Sequence, residues 1–350
     1  MRDLEFGIEV LGGWENFFSN GYDAVSFFFV LSGFVLTYVY GGESESQSLR
    51  TGQRKFWHAR FARIYPAYFL ALLIALPAFV YSMAISKLIS FSEFFTALLL
   101  VPTLCQAWLP SAATAWNMPA WSLSVEAFFY LLFPFLIRRL QAVTPGALFS
   151  ISLVTVVLVS VCRMWLASSP DLMWCPDIRN NFVSYFPPLF LPHFIFGMAL
   201  SRCFSASRGR LSMGLSLLAV PSGVLLVLLF GMRSILPVWA VSDAVLVPLF
   251  GAVIFGAAQA KGLLASLLSF EPLVQLGEAS YALYILYILH MPLAFWYRWG
   301  ALKFSGDPFD HRLGVAFFGA LSVAFSYVVF IWFERPARRW LTNRPVTGFR

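Results

Sequence analysis

The chain has 350 residues, 59% hydrophobic, 18% aromatic and only 12% charged, about half the charge of an ordinary soluble domain. Its mean hydropathy of +0.75 and its 38 phenylalanines leave too few polar side chains to cover a soluble surface, which excludes a soluble enzyme, a nucleic-acid binder and a disordered scaffold in favour of an integral membrane protein. The net charge of +7 sits in short clusters between apolar runs, as in cytoplasmic loops of membrane proteins.

Residues 1–21 are acidic where a signal peptide would be basic and read as a short external segment. Apolar runs long enough to cross a bilayer as helices follow at 22–40, 65–86, 119–137, 146–167, 182–200, 211–230, 236–258, 279–297 and 313–333. The expected fold is therefore all-α, a polytopic transmembrane helical bundle of about nine spans filling one domain over 22–334, with a basic cytoplasmic tail at 335–350. A tenth apolar stretch, 93–109, is decided by charge. If it lies in the interface or re-enters, sixteen of the 24 basic residues share one side, including Arg50, Arg54, Lys55, Arg60 and Arg63 and the tail. That side is the cytoplasm. The four cysteines form no CxxC and no paired spacing, so neither a metal site nor a disulfide framework is expected, and no cofactor is called for.

Ionisable groups inside hydrocarbon cost several kcal/mol (roughly 2.5–3.5 at a helix centre) unless paired or facing a cavity, which makes each a functional candidate. Ser122, Glu126 and Tyr130 recur every four residues on one helix face, and Ser280, Tyr284, Tyr287 and His290 share a face of another. In this topology Glu126 and His290 each lie about 10 Å deep from the outer surface at 1.5 Å per residue. They suit either general acid–base work or a helix-to-helix hydrogen bond. Four other intramembrane groups read as packing devices: Asp23 at the positive end of its helix, Asp243, His193 satisfying carbonyls freed by Pro187, Pro188 and Pro192, and Arg163 snorkelling outward. On the cytoplasmic side Arg60 and Arg63 stand three residues apart at the mouth of a span, placed to anchor it or to hold an anionic ligand, and Glu334 lies at the same level to pair with either.

Taken together, GYDAVSFFFVLSGFVLTYVY, RFARIYPAYFLAL, WNMPAWSLSVEAFFYLLFPFL, GEASYALYILYILHMPL and FERPARRW resemble the ordered motifs of the acyltransferase-3 family of integral-membrane acyltransferases. The resemblance implies transfer of an acyl group, acetyl most simply, from cytosolic acyl-CoA to a hydroxyl of a glycan or lipid-linked saccharide at the bacterial inner membrane, with the C-terminus cytoplasmic. It also implies catalytic roles for Glu126 and His290, donor binding by Arg60, Arg63 and Glu334, and a cavity lined by Ser122, Tyr130, Tyr284 and Tyr287. The partners implied are acyl-CoA, the saccharide acceptor and membrane lipids, with no nucleic acid. The chain departs from the family at its start: the family's first helix, with a histidine near its end thought to act as base, has no counterpart here, and no histidine precedes His58. Two other readings are therefore carried forward, a transporter or flippase of lipid-linked sugars and a truncated, inactive relative.

Overall fold

The computed structural model describes residues 21–41, 49–86, 89–169, 176–207, 218–286 and 311–342, and every regular element among them is helical. In chain order these are α1 (Gly21–Tyr40), α2 (Leu49–Ala84), α3 (Phe91–Leu100), α4 (Trp121–Gln141), α5 (Pro145–Ser168), α6 (Pro176–Tyr185), α7 (Leu191–Ala206), α8 (Ala219–Gly231), α9 (Asp243–Ala258), α10 (Gly262–Leu268), α11 (Glu271–Ile285), α12 (His311–Val329) and α13 (Arg335–Thr342). Six helical segments among the described residues are long and apolar enough to cross a membrane: Gly21–Tyr40, Gly52–Ala84, Met118–Gln141, Pro145–Ser168, Pro187–Ala206 and Val238–Ala258. These correspond to six of the nine expected spans. Of the other three, 211–230 and 279–297 fall partly outside the described residues, and 313–333 continues from α12 into a π turn at Phe330–Glu334.

The helix in the ambiguous stretch is too short to cross a membrane by itself. Residues Phe91–Leu100 form α3, about 15 Å long at 1.5 Å per residue, after which the chain breaks into three 3₁₀ turns ending at Ala120. Ser90 and Glu93 start α3 with a reciprocal capping box, which satisfies two of its free N–H groups.

The contacts divide the chain into two compact units, one drawn from Arg50–Ser124 and Phe270–Arg350, the other from Gly12–Leu49 and Val125–Ser269. In the first, Trp116 has a left-handed backbone, φ 65°, a conformation that a bulky residue keeps only when its surroundings fix it. They do so here: its ring stacks on Phe79 at 4.9 Å and its indole N–H donates to the Leu72 carbonyl at 3.1 Å. The loop that delivers the chain into α4 is thereby tied to α2.

In the second unit the closest crossing is α1 against α7. A Cβ at Gly33 would lie 2.1 Å from the Phe194 carbonyl oxygen, and one at Gly197 would lie 2.0 Å from the Val30 carbonyl oxygen. Small residues on both helices let the backbones touch, the usual device for packing helices in lipid, where apolar burial alone gives no drive for association. Phe129 and Phe194 stack beside this crossing at 4.8 Å, with Phe29 edge-on to Phe129 at 5.2 Å.

Gly33→Ala and Gly197→Ala should each lower the thermal midpoint of the detergent-solubilised protein by overpacking, at a cost of about 1–3 kcal/mol. Gly223→Ala, on α8 where a Cβ meets open space, should leave it level or raise it. An unchanged midpoint in both crossing variants would contradict the close approach.

Candidate functional site

The sequence-predicted donor residues come together in the first unit. Arg60 and Arg63 project from the polar end of α2. The π turn that closes α12 carries Glu334, which is only 4% exposed. Its strongest charged neighbours are Arg63 and Arg338, with Glu278 of α11 a third. Burial pushes the Glu334 carboxyl up to about 7 even though both arginines oppose the rise. Arg338, which sequence reasoning left inside an unremarkable basic run, is crowded by Arg63 and Arg60. Arg335 completes the cluster by pairing with Glu278 at 3.4 Å.

The same unit joins two of the four residues expected to line a cavity. The hydroxyls of Ser122 and Tyr284 lie 2.8 Å apart, and Tyr284 also donates to the Pro119 carbonyl at 2.9 Å. Tyr281, one turn earlier on α11, donates to the Ile64 carbonyl of α2 at 2.7 Å. Asn117 donates to the Ile285 carbonyl at 3.0 Å. These bonds fix α11 against α2 and against the turn that starts α4. Tyr287 and His290 lie outside the described residues.

Glu126 and Tyr130 occupy the part of α4 in the second unit, where the Tyr130 hydroxyl donates to the Glu126 carboxylate. The expected common face is thus real, and Glu126 holds a phenol one turn away as its local partner.

A second polar cluster, read from sequence as four separate packing devices, is one network. The Asp243 carboxylate accepts from Arg163 and from Ser26 at 3.1 Å, and His193 Nε2 lies 3.3 Å from it. Arg163 also donates to the Val183 carbonyl at 3.1 Å and to Tyr22 Oη at 2.6 Å. Its guanidinium carbon sits 4.7 Å from the Phe190 ring centroid. Arg163 therefore does not snorkel: Asp243, eighty positions away, supplies a counter-charge inside the bundle that is worth more than a path to water. Likewise Asp23 pairs with Arg233 rather than relying on its helix end alone, and the His193 imidazole turns to a carboxylate rather than to freed carbonyls. Each charge here is answered by another protein group, so the cluster locks α1, α5, α7 and α9 together.

Comparison with known proteins decides the family. The family model described as an acyltransferase domain matches residues 7–331. The chain belongs to the acyltransferase-3 family of membrane acyltransferases. Acyltransferase MdmB of Streptomyces mycarofaciens is 29% identical over 321 residues, covering 88% of this chain and 76% of that protein. Protein 2 in the picA locus of Rhizobium radiobacter is 44% identical over 62 residues, 18% of this chain and 31% of that protein. No solved structure matches significantly. As an acyltransferase-3 protein, the chain carries its arginine cluster and its Ser122–Tyr284 contact in one unit and Glu126 in the other.

Asp243→Ala would leave Arg163 buried without its counter-ion and should cost about 3–5 kcal/mol, read as a large drop in thermal midpoint. The double variant Asp243→Ala/Arg163→Met should recover part of that loss. A silent Asp243→Ala would show that the network carries no structural weight.

Proposed function

We propose that this acyltransferase moves an acyl group, acetyl in the simplest case, from cytosolic acyl-CoA to a hydroxyl of a glycan or similar saccharide acceptor at the bacterial inner membrane. The observation that carries this reading is the placing of Arg63 and Arg338 beside one buried carboxylate, with Arg60 close to Arg338. Guanidinium groups suit the phosphates of coenzyme A because the planar fork donates two parallel hydrogen bonds to one phosphate. The basic residues at this end of α2 and α13 belong to the side that charge distribution assigns to the cytoplasm, where acyl-CoA is found.

In the reaction the acceptor oxygen attacks the thioester carbonyl, the new C–O bond replaces the C–S bond, and coenzyme A leaves as the thiolate. The hydroxyl proton must go to a base before or during attack. Glu126 is assigned that role, with Tyr130 as the phenol that shares the carboxylate's hydrogen bonding and returns a proton to the departing sulfur. His290 is assigned to the same proton path, and Tyr287 to the cavity beside it. Ser122 and Tyr284, whose hydroxyls lie within hydrogen-bond distance of each other and of the Pro119 carbonyl, hold the first turn of α4 and the acceptor side of the cavity in place. No cofactor is needed for acyl transfer from a thioester.

Arg60→Lys and Arg63→Lys keep the charge and lose the fork. Each should weaken coenzyme A binding by about tenfold or more while membrane insertion stays normal. Glu126→Gln should instead leave that binding intact and slow transfer to the acceptor by about 10² or more. Equal affinity in both lysine variants would return the arginines to anchoring, and a normal rate in folded Glu126→Gln would assign the carboxylate to packing.

A further inference from the structure

Within the second unit, α8, α9 and α10 leave a space between them that no side chain fills. It is a cavity of about 430 Å³, open at the surface, a volume in the range of small-molecule sites. It runs along α8 from Ala219 to Leu228, with Ala257 of α9 and Leu264 and Leu268 of α10 among its other walls. Every lining residue among those described is apolar. Water inside it would find no hydrogen-bond partner, and an empty void would forfeit the dispersion contacts of its walls.

The space does not come from loose packing of the helices behind it. A Cβ at Gly256 of α9 would lie 2.7 Å from Ala219 of α8, so those two helices touch. Two other features create the gap. Gly223 belongs to the α8 wall, and a Cβ there would meet nothing within 4 Å. The chain then leaves α9 and turns into α10 through Gly262, whose φ of 62° is the left-handed conformation that glycine adopts without strain. None of the seven residues of α10 is buried, although Leu264 and Leu268 line the same cavity as α8. A short apolar helix thus stands beside α8 with its own leucines unpacked.

The dimensions and charge of the groove select its occupant. Nine residues of α8 at 1.5 Å each give it a length of about 14 Å, close to half of a hydrocarbon core of about 30 Å, which is the depth of one leaflet. Its volume over that length is a cross-section of about 30 Å². That admits a hydrocarbon chain but not a second copy's helix, which is about 10–12 Å across with its side chains. At the end of the groove marked by Ala219 and Ala257, α9 finishes and Lys261 follows, exposed, four residues after Ala257 and three before Leu264. No carboxylate among the described residues pairs with it, and it belongs to the side that charge distribution assigns to the cytoplasm, where anionic lipids face basic side chains. We propose that the groove between α8, α9 and α10 binds one alkyl chain of an anionic phospholipid, with the headgroup phosphate at Lys261, and that this lipid props α10 against α8. The proposal is independent of the donor and acceptor readings above.

The test is photo-cross-linking of the full chain in phosphatidylcholine vesicles. The probes are traces of phosphatidylglycerol or of phosphatidylcholine, each carrying a diazirine on one alkyl chain. Adducts should concentrate on peptides covering 219–228 and 262–268, at several times the yield on α5 around Ile151, Val154 and Leu158, whose side chains are exposed but line no groove. The phosphatidylglycerol probe should label α8 and α10 about fivefold more strongly than the phosphatidylcholine probe. Gly223→Leu fills the open space and should remove the excess on α10 while leaving α5 labelling unchanged. Lys261→Glu should keep the groove adducts and lose the preference for the anionic probe. Wild-type labelling of α8 and α10 no stronger than that of α5 would overturn the proposal, as would an excess that survives Gly223→Leu. Groove-specific labelling equal for the two probes would overturn the Lys261 assignment alone. If Gly223→Leu does not fold, as judged by its melting curve, competition decides: unlabelled phosphatidylglycerol should remove the groove adducts and spare those on α5, and equal loss at both rejects the site. Cross-linked dimers without lipid adducts on α8 would give the face to a second copy and reject it as well.

Discussion

A charge buried among apolar helices has to be answered by another group close by, because neither lipid nor hydrocarbon side chains can solvate it. The two units meet that constraint in opposite ways. In the unit built from α1 and α4 to α10, Asp243 is matched by Arg163, Ser26 and His193, and Asp23 by Arg233. In the other unit the buried Glu334, beside Arg63 and Arg338, keeps one oxygen without a hydrogen-bond partner. We read the closed network as holding helices and the cluster around Glu334 as the one open to a ligand.

Packing and electrostatics reinforce each other in the closed unit. The α1–α7 crossing needs Gly33 and Gly197 for backbone contact, and the same two helices deliver Ser26 and His193 to Asp243. The first turn of α9 is fixed from a third side, since the Ala244 N–H donates to Ser160 Oγ at 2.9 Å. Near the opposite end of α7, Arg202 donates to the Leu140 carbonyl in the last turn of α4 and to the Val143 carbonyl just after it. The helices are thus pinned at both ends, which gives Glu126 on α4 a rigid frame and makes Tyr130 its dependable neighbour.

Helix positions were largely legible from the chain because twenty-residue apolar runs have one reading in a membrane. The face shared by Glu126 and Tyr130 and the meeting of Arg63 with Glu334 followed from helical spacing and depth. The Arg163–Asp243 pair did not: the two residues lie eighty positions apart, each has a cheap local explanation, and only the bundle brings them together. Arg338 was hidden for another reason. Arginines after a last span are expected for orientation alone, and nothing in FERPARRW marks one of them as facing Arg60 and Arg63. The π turn that aims Glu334 inward has no sequence signature of its own.

Photoaffinity labelling with an azido-adenine analogue of coenzyme A tests most directly whether the open arginine cluster is the donor site. The account predicts adducts on peptides spanning Arg60 and Arg63 or Arg335 to Arg338, competed away by unlabelled coenzyme A. Adducts confined to α5 and α9 around Arg163 and Asp243 would contradict it, because the closed network would then be the one that opens to ligand.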